Sequence, residues 1–146
     1  MPERPPAAGA DRPAGWLFKE EPEHYSFADL EKEGETLWDG VTNALARKHL
    51  RATAAGDRVL YYHTGQERAI VGEMRVVEAA RPDPASEDPK AVVVKVAAVR
   101  AWPKPVTLER IKADKRFAGW ELVRIPRLSV MPVSADQWRW IEELGK

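Results

Sequence analysis

Trp38-Asp39-Gly40-Val41-Thr42-Asn43-Ala44-Leu45-Ala46-Arg47 sets a tryptophan beside an acid, a glycine and an asparagine, just ahead of a helical pattern. Glycine there permits a positive φ or a close backbone approach, and asparagine is a strong helix cap. Upstream, Trp16-Leu17-Phe18-Lys19-Glu20-Glu21-Pro22 is a short apolar strand stopped by proline. Downstream, Tyr61-Tyr62-His63-Thr64 closes a second strand. All three pieces put aromatic rings next to hydrogen-bonding side chains where a strand or loop ends. A flat, polar, π-faced ligand such as a nucleobase is held in this way, by stacking on its faces and hydrogen bonds along its edge.

The chain has 146 residues, 44% of them apolar, with six tryptophans and no cysteine. That is one domain with enough apolar surface for a core. Without cysteine there are no disulfides, thiolate zinc sites or cysteine nucleophiles, which fits a reducing, cytoplasmic setting. No apolar run approaches the roughly 18–20 residues that span a bilayer, and Met1 to Gly15 lacks the apolar middle of a signal peptide. No membrane partner is expected. The 23 basic and 23 acidic residues balance, which argues against tight, sequence-blind binding to nucleic acid. Nine cations nevertheless gather between residues 95 and 130: Lys95, Arg100, Lys104, Arg110, Lys112, Lys115, Arg116, Arg124 and Arg127. They form either a modest phosphate track or a solvated face.

Residues 1–15, rich in Pro, Ala, Arg and Gly, are expected to be a disordered tail, with the folded domain running from 16 to 146. Ser26 with Asp29 has capping-box geometry for a helix over Phe27 to Lys32, ended by Gly34, and Asn43 caps the next helix. Arg58 to His63 and Ile70 to Val77 form a hairpin around Gly65. The prolines of 81–90 predict a loop. Val92 to Val99, apolar and β-branched, predicts a central strand. Thr107 caps a helix over Leu108 to Ala113, and Lys115 to Gly119 is a loop or short turn. Leu122–Ile125 and Leu128–Met131 read as the final strands, and Ser134 with Gln137 opens a terminal helix presenting Trp138, Ile141 and Leu144. The architecture predicted is α+β: a mixed β-barrel of about five to six strands with flanking helices. Connections between the middle strands are too short for a doubly wound parallel sheet.

His24, His49 and His63 lack metal-pair spacing, and no phosphate loop, nucleophile elbow or dinucleotide turn is present. No metal, cofactor or catalytic residue is therefore expected, and the chain is not read as an enzyme. Lys19 ends its strand, so its ammonium emerges at the strand's mouth, towards a phosphate or base acceptor or paired with Glu21 or Asp39. Trp38 is a pocket wall or core. Asn43 reads a base edge or caps a helix. Tyr61 and Tyr62 alternate, so at most one faces a given pocket. His63 donates or accepts in a pocket, or is a satisfied histidine at the barrel's end.

The three pieces in this order, followed by Ile70-Val71-Gly72, resemble the EVE domain, of the PUA-like group that includes the YTH readers of methylated adenine. The resemblance runs from about Trp16 to about Leu144. Lys19, Glu21, Pro22, Trp38, Asp39, Gly40, Val41, Asn43, Tyr62 and His63 match the family pattern, and Arg127-Leu128-Ser129-Val130 before Pro132 is similar to its closing strand. Glu20 stands where serine or threonine is usual, and Thr42 replaces an arginine. The resemblance implies a PUA-like barrel and a monomeric, non-catalytic reader of one modified base in DNA or RNA. Lys19, Glu20, Glu21, Trp38, Asp39, Gly40, Asn43, Tyr62 and His63 would form the base site, with Lys95, Lys104, Arg124 and Arg127 touching phosphates. A carboxylate at position 20 accepts only, and so favours an exocyclic amino group. A nucleoside-binding pocket without polymer, or a protein-interaction module anchored by exposed Trp102 and Trp120, are the alternatives.

Overall fold

The computed structural model describes residues 12–146. Most of the expected tail, residues 1–11, lies outside these. The strands are β1 (Gly15–Glu20), β2 (Glu35–Trp38), β3 (Arg58–His63), β4 (Ala69–Pro82), β5 (Val92–Thr107) and β6 (Val130–Val133). The helices are α1 (Phe27–Glu33), α2 (Ala44–Ala52), α3 (Leu108–Ala113), α4 (Glu121–Arg124) and α5 (Ala135–Leu144), with a 3₁₀ turn over Lys115–Phe117. The six strands join in one mixed sheet of order β2-β5-β4-β3-β1-β6, in which only β1 and β3 run parallel.

That sheet is strongly curled. Trp38 on β2 and Phe18 on β1 are four strands apart, about 19 Å in a flat sheet, yet their ring centroids are 5.4 Å apart. Tyr61 on β3 reaches the same indole at 5.3 Å. Side chains alternate across the sheet, and the two faces are used differently. Trp16, Phe18, Tyr61 and His63 point into the curl. Phe27 of α1 meets Tyr61 there at 5.4 Å, and His49 of α2 meets Trp16 at 5.9 Å. Arg58, Glu73 and Arg100 point outward, where Glu73 pairs with both arginines and the arginines meet α5. The α+β barrel-like fold is as expected.

The local signals hold. Ser26 and Asp29 exchange both capping-box bonds, as do Ser134 and Gln137, while Asn43 and Thr107 each cap their helix. Four expectations change. Order starts before Trp16: Arg12 pairs with Asp57 at 2.7 Å, and Gly15 is buried in β1. A Cβ on Gly15 would lie 2.6 Å from the Trp138 ring and 2.7 Å from the Arg58 carbonyl oxygen, so only glycine allows this approach. Glu35–Trp38, unassigned from sequence, is an edge strand on β5. Leu122–Ile125, expected as a strand, lies instead in and just after the one-turn helix α4, whose Leu122 is buried beside Trp120. Burial of that apolar turn overrides its β-branched composition. Finally, β4 continues to Pro82, and β5 runs on through Pro103 and Pro105. The pairing Gly72 with Ala101 shifts to Ile70 with Val106, so the prolines sit in a bulge where no ladder N–H is needed.

Candidate functional site

The ends of β1 and β2 frame a cavity of about 220 Å³, lined by Glu20, His24, Tyr25, Thr36, Leu37, Trp38 and Asp39. Trp38 forms its inner wall but is only 5% exposed, because most of the indole packs on Phe18 and Tyr61. The ring is both core and cavity wall. Tyr25 is half-buried. Its hydroxyl donates to Glu33 Oε1 at 2.6 Å, and burial together with that bond pushes its pKa up to about 12. The tyrosine edge is thereby fixed, since its hydroxyl proton is committed to Glu33, which does not line the cavity.

Glu20 brings charge to the rim. Its Oε1 accepts the Glu21 backbone N–H at 2.9 Å, and its Oε2 lies 3.1 Å from His24 Nδ1. Asp39 lines the opposite side and is exposed, as is Gly40, whose φ of 75° makes the turn out of β2 one that only glycine takes without strain. Thr36 adds a hydroxyl. The cavity therefore combines aromatic walls with two carboxylates, an arrangement suited to a flat ligand that donates hydrogen bonds from its edge.

The other sequence-derived candidates separate from this cavity. Lys19 alternates with Phe18 and Glu20 and so faces outward. Its Nζ donates to the Pro126 carbonyl at 2.9 Å and lies 5.5 Å from the centre of the Tyr62 ring, which is on the same outer face. Burial lowers the Lys19 pKa and pushes that of Tyr62 up to about 12. Neither Glu21 nor Asp39 pairs with Lys19. Glu21 is exposed, and its carbonyl accepts from His24 and Tyr25 to make the turn below the cavity. Asn43 Oδ1 is spent on the Ala46 N–H at 2.9 Å, so the cap reading describes it. His63 is buried with both nitrogens engaged: Nε2 accepts the Phe27 N–H at 3.0 Å, and Nδ1 faces Glu67 Oε1 at 2.8 Å. That bonding fixes the tautomer and ties β3 to α1.

Among the cations, Lys95 faces Glu35 at 3.4 Å and Glu78 at 3.8 Å. Arg124 Nε donates to the Gly119 carbonyl, while Lys104 and Arg127 are exposed, with no acid within ion-pair reach among the described residues. His24, Tyr25, Thr36 and Leu37 line the cavity without having been expected there. They belong to β2 and the turn after β1, and their only signal was proximity in sequence to Glu20 and Trp38. Trp102 and Trp120 are 7% and 1% exposed, so they offer no interaction patch. Among the described residues, no group of three or more His, Cys, Asp or Glu is placed to hold a metal, and no helix is long and apolar enough to cross a membrane.

A curled mixed six-stranded sheet with helices packed on both faces defines an α+β fold of the PUA-like kind. The chain belongs to the EVE domain family, whose model matches residues 14–144. It is 32% identical to thymocyte nuclear protein 1 of Mus musculus, across 88% of this chain and 72% of that protein. Rpa0253 from Rhodopseudomonas palustris superposes with a TM-score of 0.85 at 37% identity, over 90% of this chain and 92% of that one. The human THYN1 protein, solved in complex with DNA containing 5-methylcytosine, superposes with a TM-score of 0.83 at 28% identity, over 90% and 97% of the two chains.

Proposed function

We propose that this protein binds nucleic acid carrying a modified base and receives that single base in the cavity bounded by Trp38. The observation that carries this reading is the cavity itself: aromatic walls from Trp38 and Tyr25, hydrogen-bond acceptors from Glu20 and Asp39, and a volume of about 220 Å³. That volume is below the roughly 300 Å³ at which drug-sized ligand sites begin, and it suits one heterocycle better than a dinucleotide. The complex of human THYN1 with 5-methylcytosine-containing DNA supports the same ligand class. The site is a binding site, and the protein acts as a monomeric reader. Taking a base from its stack costs a few kcal/mol, least when the strand is already single. Aromatic contact and one or two edge hydrogen bonds offset that cost only narrowly, which places binding in the micromolar range.

The test is calorimetric titration with single-stranded and duplex oligonucleotides carrying one 5-methylcytosine, beside unmodified controls. Micromolar binding that favours the modified strand is expected. An absence of heat with every oligonucleotide at high micromolar concentration would remove the proposal.

A further inference from the structure

We infer that Glu20 is the specificity-determining residue of the cavity, selecting a base that presents an exocyclic amino group and rejecting one that presents a carbonyl at the same position. The inference rests on the reading of the cavity as a base pocket and adds which base edge it accepts.

The hydrogen-bond inventory of the cavity is lopsided. An ionised carboxylate offers about four lone-pair sites and no proton. On Glu20, one is taken by the Glu21 N–H and one by the His24 ring, which leaves lone pairs on a carboxylate fixed from two sides. Asp39 adds a second acceptor-only group. The Tyr25 hydroxyl, which would otherwise donate, is turned to Glu33. Thr36 and the exposed His24 are the remaining polar side chains of the lining. The Glu20 side chain is 25% exposed while His24 is 73% exposed, so the imidazole braces the carboxylate from the solvent side and leaves the inner side open.

A base edge entering this rim meets negative charge. The N4 amino group of cytosine donates two hydrogens and satisfies it, whereas the O4 carbonyl of thymine sets an acceptor against an acceptor. 5-Methylcytosine and thymine share the C5 methyl group, so stacking and methyl packing nearly cancel between them. They differ at C4, amino against carbonyl, and at N3, acceptor against N–H donor, so the part of the preference that substitution of Glu20 removes is the part that reports the carboxylate.

The experiment titrates fluorescent single-stranded oligonucleotides, identical except for one central 5-methylcytosine or thymine, with wild type, Glu20→Gln and Glu20→Ser. Wild type should bind the 5-methylcytosine strand roughly ten- to a hundredfold more tightly than the thymine strand, the range that one good base-edge interaction gives. Glutamine is isosteric and can keep the Glu21 N–H bond, yet offers both a donor and an acceptor. Serine does the same with less volume. Both variants should bring the two affinities to within about threefold, because a group that both donates and accepts no longer tells amino from carbonyl. Their circular dichroism should be unchanged. Equal binding of the two strands by wild type, or a preference preserved in both variants, overturns the role of Glu20 while leaving the pocket standing. Failure of wild type to bind either strand overturns the pocket and this inference together.

Discussion

At Trp38 the indole packs against Phe18 and Tyr61 at 5.4 and 5.3 Å and leaves 5% of its surface open, so its removal acts first on the core. Trp38→Ala should cost about 3–5 kcal/mol of stability, as large-to-small substitutions of buried aromatics do. Urea unfolding measures this without any ligand. A loss below about 1 kcal/mol would mean that the neighbouring rings do not depend on the indole, and the core placement would be wrong. The consequence for function is practical: weaker binding by Trp38→Ala cannot be assigned to lost stacking until its stability is known. At this scale much was legible in the sequence. Alternation alone separated Tyr61 from Tyr62, and the caps at Ser26, Asn43, Thr107 and Ser134 followed from spacings of three residues. Lys19 was harder. Its strand position was clear, but its partner is the carbonyl of Pro126, which no local pattern announces.

Among the elements, α5 shows how charge and aromatic packing together dock a helix. Glu73 on β4 is a buried carboxylate that accepts from Arg58 Nε at 2.9 Å and Arg100 Nε at 3.3 Å. Both guanidiniums also lie 3.6 Å from Glu142 of α5, Arg58 covers the Trp138 ring at 4.1 Å, and Arg100 covers Trp102 at 4.6 Å. On the far side Arg116 repeats the arrangement with Glu143 and Trp140. Either arginine alone can neutralise Glu73, so Arg58→Ala and Arg100→Ala should each cost only about 1–2 kcal/mol, near the value of a charged hydrogen bond. The double variant leaves a buried carboxylate unpaired, which costs about 3–5 kcal/mol in total. A double-mutant cycle in urea should therefore show coupling of at least about 1 kcal/mol. Strict additivity would mean that water already reaches Glu73. None of this was visible in the sequence, because Arg58, Glu73, Arg100 and Glu142 come from four separate elements. The missed strand β2 has the same cause: Glu35–Trp38 is extended because β5 offers it a ladder, not because its four residues insist on it. In α4, too, packing of Trp120 and Leu122 decided against the local propensity.

Over the whole molecule, curling of the sheet brings β2 across to β1 and makes a cavity from residues that the strand order sets far apart. The mixed barrel was legible in the sequence because hairpin-like turns and helix caps limited the choices. The division of the candidate residues between the two faces was not, since it depends on a strand order that no local pattern carries, and that order sets Lys19 and Tyr62 on the face opposite Trp38. The same folding sorts the cations. Lys95, Arg100 and Arg116 each face two acids, whereas Lys104, Arg110, Lys112, Lys115 and Arg127 face none within ion-pair reach among the described residues. Arg127 follows the proline whose carbonyl holds Lys19, at the outer mouth of β1. If the protein tracks a phosphate backbone beside the proposed base pocket, the unpaired cations must release counterions and the paired ones need not. The slope of log K against log salt with a single-stranded oligonucleotide falls by about 0.7 for every phosphate that the protein ceases to neutralise. Arg127→Ala should flatten the slope by about that amount, and Lys95→Ala should leave it unchanged, because Glu35 and Glu78 already neutralise that ammonium. Anisotropy titrations across a series of salt concentrations would measure both. Equal flattening by the two variants would show that the ion pairs of Lys95 open on binding, and the phosphate path would then extend to the β2 edge.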